Sequence, residues 1–405
     1  MARAGADHAQ HRAHPRRRRW LAVPALAALT VALGGCASDA PQDSLNPQGP
    51  QARTIDDLIM PIFAVAGVVL LIVVVAIGYC VFRFRDRPDR DEMPEQTHGK
   101  PALEIGLTIA PAVLLAVIGV FTVKTIFDLD EQPNDALQID VVGQQWWWEF
   151  TYPALATETG GPIVTSGEMV IPAGEPIALR LTSRDVIHSF WIPPLNGKRD
   201  TVPGRVHTLT MEADEPGEYW GQCAEFCGLS HANMRMRVVA LSAEDWDRWV
   251  ANQQRLAAEP TDEQALAGME QFTGLCASCH QVNGLVDAEG EPVIADAATQ
   301  VVAGVAPDLT HLMSRTTFAG GTFDLKVPEC TNDPEYTAEY VTGTADNCLN
   351  EAELEEWLRN PPAKKPMFSD PENLESTDGL YRGMPNLGLS EDQIDQLVAY
   401  LRTLK

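Results

Sequence analysis

The chain has 405 residues, which is enough for two or three domains, and 56 acidic against 30 basic side chains give a formal net charge of -26 at pH 7. This balance excludes a nucleic-acid binder, because phosphate backbones are bound by Lys- and Arg-rich surfaces. An acidic surface suits a basic protein partner, and it serves solubility in an exported protein equally well.

The first 35 residues have the pattern of an export signal. Arg16 to Arg19 form a positive stretch, and LAVPALAALTVALGG is an apolar run too short for an ordinary membrane span. The run ends in Leu33-Gly34-Gly35-Cys36, which is similar to a bacterial lipobox and would make Cys36 a lipidated first residue. The alternative is an ordinary small-residue cleavage site with an incidental cysteine. Residues 36–56 would then begin the mature chain outside the cytoplasm.

Two longer apolar runs predict a transmembrane helical hairpin over residues 57–128. They span Leu58 to Phe82 and Leu103 to Phe127, and each exceeds the ~20 residues that cross a bilayer. The short loop between them is rich in Arg and Lys, which places it in the cytoplasm and the rest of the chain outside. Glu104 opens the second run, where a carboxylate either snorkels, caps a helix or marks a proton path.

Residues 129–250 predict an all-β domain. Segments such as LQIDVV, WWWEFTY and PIALRLTS alternate apolar and polar residues, are rich in β-formers and are separated by Pro and Gly. Several short strands at close spacing predict an antiparallel sandwich or barrel. The segment AEDWDRWVANQQ predicts a short helix that closes the domain.

The segment CAEFCGLSHANM concentrates metal-binding side chains. They are Cys223, Cys227, His231 and Met234, and His188 stands upstream in DVIHSFWIP. Zinc also binds Cys and His at close spacing, and two cysteines of an exported chain can pair as a disulfide. Thioether sulfur suits copper(I) instead, and two thiolates can bridge two copper ions. The main-chain carbonyl of Glu225, between the thiolates, would complete such a ligand set.

Together, DVIHSFWIP and YWGQCAEFCGLSHANM resemble subunit II of the haem-copper cytochrome c oxidases. The resemblance implies a cupredoxin-like sandwich with a binuclear copper centre, CuA. Its ligands would be His188, Cys223, Glu225 (carbonyl), Cys227, His231 and Met234. The resemblance also implies a magnesium or manganese ion at the border with subunit I, near Asp200 and the Glu225 side chain, with Arg205 at the same border.

Two further positions take roles from the same resemblance. Gln145 and the following three tryptophans are similar to the family's Gln-Trp-aromatic-Trp motif, whose first Trp receives electrons from cytochrome c. That role falls to Trp146, and core packing is the alternative. HGKPALEIGLTIAP is similar to the family's segment that places a glutamate at the mouth of a proton channel in subunit I, which implies this position for Glu104. The chain has Leu107 where the family usually has Trp.

After a linker at 251–262, residues 263–405 predict an all-α class I cytochrome c domain. LCASCH has the c-type haem attachment pattern, in which Cys276 and Cys279 bind the haem covalently and His280 ligates the iron. A thioredoxin-like cysteine pair is the alternative. Met384 is predicted as the sixth iron ligand because it lies just before the last helix, and Met367 is its rival.

Two other segments complete the C-terminal prediction. APDLTHLMSR resembles the proline-bearing loop on the histidine side of such haems, so Pro307 would brace that side and His311 is expected to be a loop residue. An acidic insertion at about 323–348 departs from the family. In an exported domain its Cys330 and Cys348 predict a disulfide.

The order of the motifs resembles subunit II of a caa-type oxidase, in which a cytochrome c domain follows the copper domain. The resemblance implies a multidomain subunit of the bacterial inner membrane that relays electrons from haem c to CuA and on to subunit I, where oxygen is reduced and protons are pumped. Its partners would be subunits I and III, membrane lipid, and a cytochrome bc complex or c-type cytochrome as donor. The copper subunit of a related nitric-oxide reductase and a stand-alone membrane-anchored electron carrier are the alternatives.

Overall fold

The computed structural model describes residues 40–85, 98–285, 306–330, 340–343, 348–369 and 382–405. The predicted signal peptide and Cys36 lie outside the described residues.

Two long apolar helices precede the β-domain: α1 (Pro50–Arg83) and α2 (Pro101–Asp130). Both are long and apolar enough to cross a membrane. Helix α1 begins before the predicted apolar run. Its first turns are polar, so the apolar pattern does not include them, and they contact the β-domain. There Arg53 forms a two-pronged ion pair with Asp214. The outer end of α1 is therefore fixed to the domain that it anchors.

The β-domain contains a five-stranded sheet, a three-stranded sheet and a short hairpin. The strands are β1 (Leu137–Gln144), β2 (Trp147–Ala156), β3 (Pro162–Ser166), β4 (Glu168–Pro172), β5 (Ile177–Ser183), β6 (His188–Phe190), β7 (Arg199–Thr201), β8 (His207–Met211), β9 (Gly217–Gln222) and β10 (Arg235–Leu241). The sheet orders are β3-β2-β1-β5-β8 and β4-β10-β9, and β6 pairs with β7.

The sandwich is of the cupredoxin-like type, but its sheets are mixed and not purely antiparallel as predicted. Strand β1 runs parallel to β5, and β10 runs parallel to β4. The first pairing is parallel because β2, β3 and β4 intervene in the chain and form a crossover between the two strands. Strand β10 lies at the centre of its sheet and is buried from Met236 to Leu241 without alternation.

Aromatic side chains fill the space between the sheets. The rings of Trp148 and Phe150 contact Phe190 edge-on, at centroid distances of 5.5 and 6.3 Å. Helix α3 (Ala243–Gln253) then closes the domain as predicted, with Trp249 packed 5.2 Å from the Tyr152 ring. Buried aromatic rings of this size supply much of the apolar area that stabilises a small sandwich.

The C-terminal domain contains four helices and a short hairpin in its described residues. They are α4 (Glu263–Leu275), α5 (Glu351–Arg359), α6 (Pro361–Lys364), α7 (Glu391–Leu401), β11 (Thr317–Phe318) and β12 (Phe323–Asp324). Helices α4 and α7 cross in direct contact, because a side chain at Gly268 would collide with the carbonyl of Gln396. Phe272 and Tyr400 pack beside this crossing, 5.3 Å apart.

Buried polar side chains join the C-terminal domain to the sheet of β4, β10 and β9. The Glu168 carboxylate of β4 accepts hydrogen bonds from the backbone and hydroxyl of Thr316. Arg237 of β10, only 2% exposed, pairs with Glu218 of β9 and with Asp324 of β12. Arg237 can be buried because it is paired, and these contacts of Glu168 and Arg237 hold the two domains together.

Candidate metal centre

The segment between β9 and β10 forms a closed loop that presents its ligating side chains to one point. The backbone N–H of Cys223 donates to the carbonyl of Met234 at 2.9 Å, which ties the two ends of the loop together. Between them, His231 begins a short 3₁₀ turn. His188 enters from the start of β6 and is fully buried.

The donor atoms of all six predicted ligands lie close together. The sulfur atoms of Cys223 and Cys227 are 3.8 Å apart. The Cys223 sulfur lies 3.9 Å from Nδ1 of His188 and 3.2 Å from the carbonyl oxygen of Glu225. The remaining two donors contact the other thiol: the Cys227 sulfur is 3.5 Å from Nδ1 of His231 and 3.8 Å from Sδ of Met234.

The two thiols are free and have unequal acidity. Their sulfurs are not bonded to each other, so the disulfide alternative is not what the structure shows. A hydrogen bond with Cys227 and a second with His188 lower the pKa of Cys223 despite its burial. A thiolate at this position raises the pKa of the neighbouring Cys227. A bound cation would draw off the protons that remain on the two thiols.

A carboxylate fixes the orientation of His188. Oδ1 of Asp185 lies 2.8 Å from Nε2 of the ring, which leaves Nδ1 directed at Cys223. Burial lowers the pKa of His188, but the hydrogen bonds to Asp185 and Cys223 outweigh it and raise that pKa overall. A carboxylate on the far nitrogen of a metal-binding histidine fixes its tautomer and increases its basicity.

The donor set fits copper better than zinc. Two thiols, two imidazoles, a thioether and a carbonyl surround one buried point, and three of these donors, His188, Cys223 and Cys227, fall within 4.8 Å of one another. Structural zinc sites are closed by four Cys or His ligands, and zinc binds thioether sulfur poorly. Thiolates this close can bridge two copper ions.

The structure places Trp146 beneath the C-terminal domain and against the ligand loop. Its Nε1 donates to the carbonyl of Cys227 at 3.0 Å, and the side chain of Gln145 donates to the same oxygen at 2.8 Å. Trp146 is only 2% exposed, and its ring lies 5.4 Å from that of Phe368. The two tryptophans that follow it are also buried, Trp148 in the sandwich core.

The residues predicted near a second ion lie on one exposed edge. Asp200 pairs with Ser189 across the β6–β7 hairpin, and the Ser189 carbonyl accepts from the N–H of Ala224, the residue before Glu225. Asp200 and Glu225 are exposed. Phe226, 76% exposed, extends from the loop beside them. Arg205 is exposed, and Glu104 is exposed in the first turn of α2.

The second motif forms a compact turn at the end of α4. The N–H of His280 donates to the carbonyl of Cys276 at 2.9 Å, and Nδ1 of His280 lies 2.8 Å from the carbonyl of Pro307. Burial lowers the pKa of His280, so its ring is neutral at pH 7 and can donate through Nδ1. Its Nε2 is then left with a lone pair, which is how a histidine ligates iron. Burial raises the pKa of Cys276 to about 12, and both Cys276 and Cys279 are free.

The structure also gives the positions of the two candidate methionines, of His311 and of the cysteine pair in the C-terminal domain. Met384 is partly buried beside the core. Met367 is buried, and a side chain at Gly383 would collide with its sulfur. His311 is buried in the loop after Pro307, and burial lowers its pKa to about 4. Cys330 and Cys348 are joined by a disulfide, with their Cα atoms 6.2 Å apart.

Two residues of this region escaped the sequence analysis. Asp185 precedes His188 by three positions, and a nearby carboxylate is a frequent partner of a ligating histidine, so this signal was available. Lys365 donates to the carbonyl of Trp146 at 2.8 Å from 219 positions further along the chain. No local pattern in the sequence could have indicated that contact.

Known proteins of one family resemble this chain. The family model described as "Cytochrome C oxidase subunit II, transmembrane domain" matches residues 41–125, and "Cytochrome C oxidase subunit II, periplasmic domain" matches residues 137–241. The crystallised periplasmic domain of subunit II of cytochrome oxidase (CoxB) from Bradyrhizobium japonicum is 29% identical. It aligns 95% of its length with 30% of this chain, at a TM-score of 0.28.

Relatives match the chain along almost its whole length. A protein of Alkalihalophilus pseudofirmus named cytochrome c oxidase subunit 2 is 34% identical over 390 residues, covering 94% of this chain and 96% of its own. The protein of the same name from Bacillus subtilis is 29% identical over 405 residues, covering 96% and 98%. The chain belongs to the cytochrome c oxidase subunit II family and is a membrane-anchored subunit of a haem-copper oxidase, with its C-terminal part in the periplasm.

Proposed function

We propose that this chain relays electrons from a covalently attached haem c to a binuclear copper centre, and on to subunit I, where oxygen is reduced to water and protons are pumped. The convergence of the six donors around the thiols of Cys223 and Cys227, 3.8 Å apart, carries the proposal. Bound copper would supply a one-electron couple delocalised over two ions, which limits the geometric change that accompanies each transfer.

The protein's own residues would hold that centre rigid. Burial of His188, Cys223, Cys227 and Met234 excludes water from these four donors. Asp185 fixes the ring of His188, while Trp146 and Gln145 fix the Cys227 carbonyl. An electron relay requires that its ligands move little on oxidation or reduction. Hydrogen bonds from neighbouring groups to the ligands restrict that movement.

Three observations support a c-type haem in the C-terminal domain. Cys276 and Cys279 are free thiols in a helix-terminal turn, where they could add to the haem vinyls. The neutral ring of His280 is oriented by Pro307. The crossed helices α4 and α7 frame the site, as expected of an all-α cytochrome c fold, with Met384 just before α7 as the sixth ligand.

The same proposal assigns the exposed edge of the copper domain to subunit I. Phe226 offers an apolar side chain, and Asp200 and Glu225 offer carboxylates to a magnesium or manganese ion at that border. Glu104, in the first turn of α2, would lie at the mouth of a proton channel. Subunit III and a c-type cytochrome or cytochrome bc donor complete the proposed partners.

The test is metal analysis with EPR and optical spectra of the purified chain. Two copper ions with a delocalised signal, plus a low-spin c-type haem, are the expected result, and one copper or a zinc ion would contradict it. Cys227→Ser should abolish the delocalised signal. Cys80→Ser is the matched control, because this free cysteine lies in α1. The intact complex should consume oxygen and not nitric oxide, which separates it from a nitric-oxide reductase.

A further inference from the structure

The four residues from Lys365 to Phe368 connect two functional regions of the molecule. On one side, Nζ of Lys365 donates to the carbonyl of Trp146 at 2.8 Å, and the ring of Phe368 packs against the ring of Trp146. On the other side, the carbonyl of Phe368 accepts from the N–H of Arg382 at 2.8 Å. We call these four residues the bridge segment.

The bridge segment also contacts the loop of the proposed sixth haem ligand. Gly383 precedes Met384 and has φ +118°, a conformation that favours glycine. A side chain at Gly383 would collide with the Met367 sulfur, so the Met367 side chain packs directly against the Gly383 backbone. The bridge segment therefore contacts the Met384 loop through Met367 and Phe368, and it contacts Trp146 through Lys365 and Phe368.

Lys365 is buried, and its terminal amino group lies between two main-chain carbonyls. It is 3% exposed and donates to the carbonyls of Trp146 and Ala319, at 2.8 Å each. Ala319, Gly320 and Gly321 all have positive φ, so the turn presents carbonyls and no large side chain. A Cβ at Gly320 would lie 2.7 Å from the Trp146 oxygen and 2.9 Å from Nζ of Lys365.

This contact fixes one end of Trp146 while the ligand loop fixes the other. Nζ of Lys365 donates to the main-chain carbonyl of Trp146, and the indole N–H of Trp146 donates to the Cys227 carbonyl at 3.0 Å. A lysine is rarely buried unless its donors are satisfied, because an unpaired ammonium in the interior is costly. The hydrogen bonds of Lys365 fix the position of the Trp146 carbonyl, which an apolar side chain could not do.

We propose that the bridge segment holds Trp146 between the haem domain and the copper loop, and that Lys365 is its positioning residue. This inference rests on the proposed relay from haem c to copper. Lys365 acts through Trp146 and takes no part in the chemistry. Electron transfer between two fixed centres depends steeply on their geometry. Loosening the contact of Lys365 with Trp146 therefore slows electron transfer from haem c to copper without altering either centre.

The test is Lys365→Met in the full chain, which keeps most of the apolar stem and removes the ammonium. Flash photoreduction of the haem should show its reoxidation by copper slowed by about tenfold or more, with the copper EPR and haem optical spectra unchanged. Amide hydrogen exchange in residues 319–322 should become faster. Lys364→Met is the matched control, since that neighbour pairs with Glu353 and Glu356.

Unchanged reoxidation and exchange in Lys365→Met would overturn the proposal. Should that variant fail to accumulate, Phe368→Leu decides, because it removes the ring contact with Trp146 and keeps an apolar side chain. A wild-type transfer rate in Phe368→Leu would equally overturn the bridge. If the wild-type chain shows no transfer from haem to copper, the relay itself fails, whereas faster exchange in Lys365→Met would still show the positioning contact.

Discussion

The Asp185 carboxylate lies 2.8 Å from Nε2 of His188 and sets which ring nitrogen faces the thiol of Cys223. Burial raises the pKa of Asp185, but hydrogen bonds from His188 and the Gln145 backbone outweigh this and lower it overall, so the group is ionised at neutral pH.

Asp185→Ala should weaken copper binding on the order of 10- to 100-fold, the usual effect of removing the partner of a ligating histidine. Asp185→Asn keeps one acceptor and should weaken it less. Chelator competition followed by optical spectroscopy measures the affinity. Asp140→Asn, in β1 and 3.5 Å from Arg180, is the control. Equal affinities in Asp185→Ala and the wild type would show that the ring is held in place without the carboxylate.

The two candidate methionines can be told apart by single substitutions. Met384→Leu should convert the haem from low-spin to high-spin, because it removes the thioether proposed to complete the iron coordination. Met367→Leu should keep the low-spin spectrum, since the Met367 sulfur packs against Gly383. Optical spectra of both oxidised variants decide. The reverse pattern would assign the ligand to Met367 and require the Gly383 loop to move.

The disulfide between Cys330 and Cys348 closes a short loop in the insertion. Alkylation without reduction should leave both cysteines unlabelled, and labelling of both would disprove the pairing. Replacing both by Ala should lower the free energy of unfolding by ~3 kcal/mol, because the unfolded chain regains the entropy of the open loop. Denaturant titration of the purified protein measures this, and Cys80→Ala serves as the control.

Burial raises the pKa of Glu168, although its hydrogen bonds with Thr316 act in the opposite direction. The folded chain therefore retains this proton to a higher pH than the unfolded chain. Its contribution to stability is fully present below the unfolded pKa of about 4.3 and is lost as the pH rises through the folded pKa.

Glu168→Gln removes this titration, so the stability of the wild type relative to the variant should fall as the pH rises above about 4.3 and then level off. Denaturant titrations of both proteins across this range measure the difference. Glu175→Gln, at an exposed position, is the control. A constant difference between wild type and Glu168→Gln would mean that folding leaves the pKa of this carboxyl unchanged.

Local chemistry was predictable from the sequence, whereas long-range packing was not. A copper site in the ligand loop was predictable because four potential ligands lie within twelve positions and are of the types that copper binds. The two membrane helices were predictable because a bilayer requires long apolar runs, and the transmembrane family match confirms them.

The missed elements lack a local signal for a physical reason. Strand β10 is central and buried on both faces, so its sequence does not alternate. The parallel pairing of β1 with β5 depends on the crossover between them, which no strand pattern reveals. The docking of the C-terminal domain depends on contacts such as that of the buried Arg237 with Asp324, 87 positions apart, and sequence spacing carries no information about them.

The contacts between the two domains determine how the molecule unfolds. If the C-terminal domain opened alone, Glu168 and Arg237 would lose partners and Trp146 would become exposed to water. The two domains therefore stabilise each other, and calorimetry of the extramembrane part should show one cooperative transition rather than two. A fragment that ends at Gln253 should melt at a lower temperature than the same residues do within the full chain.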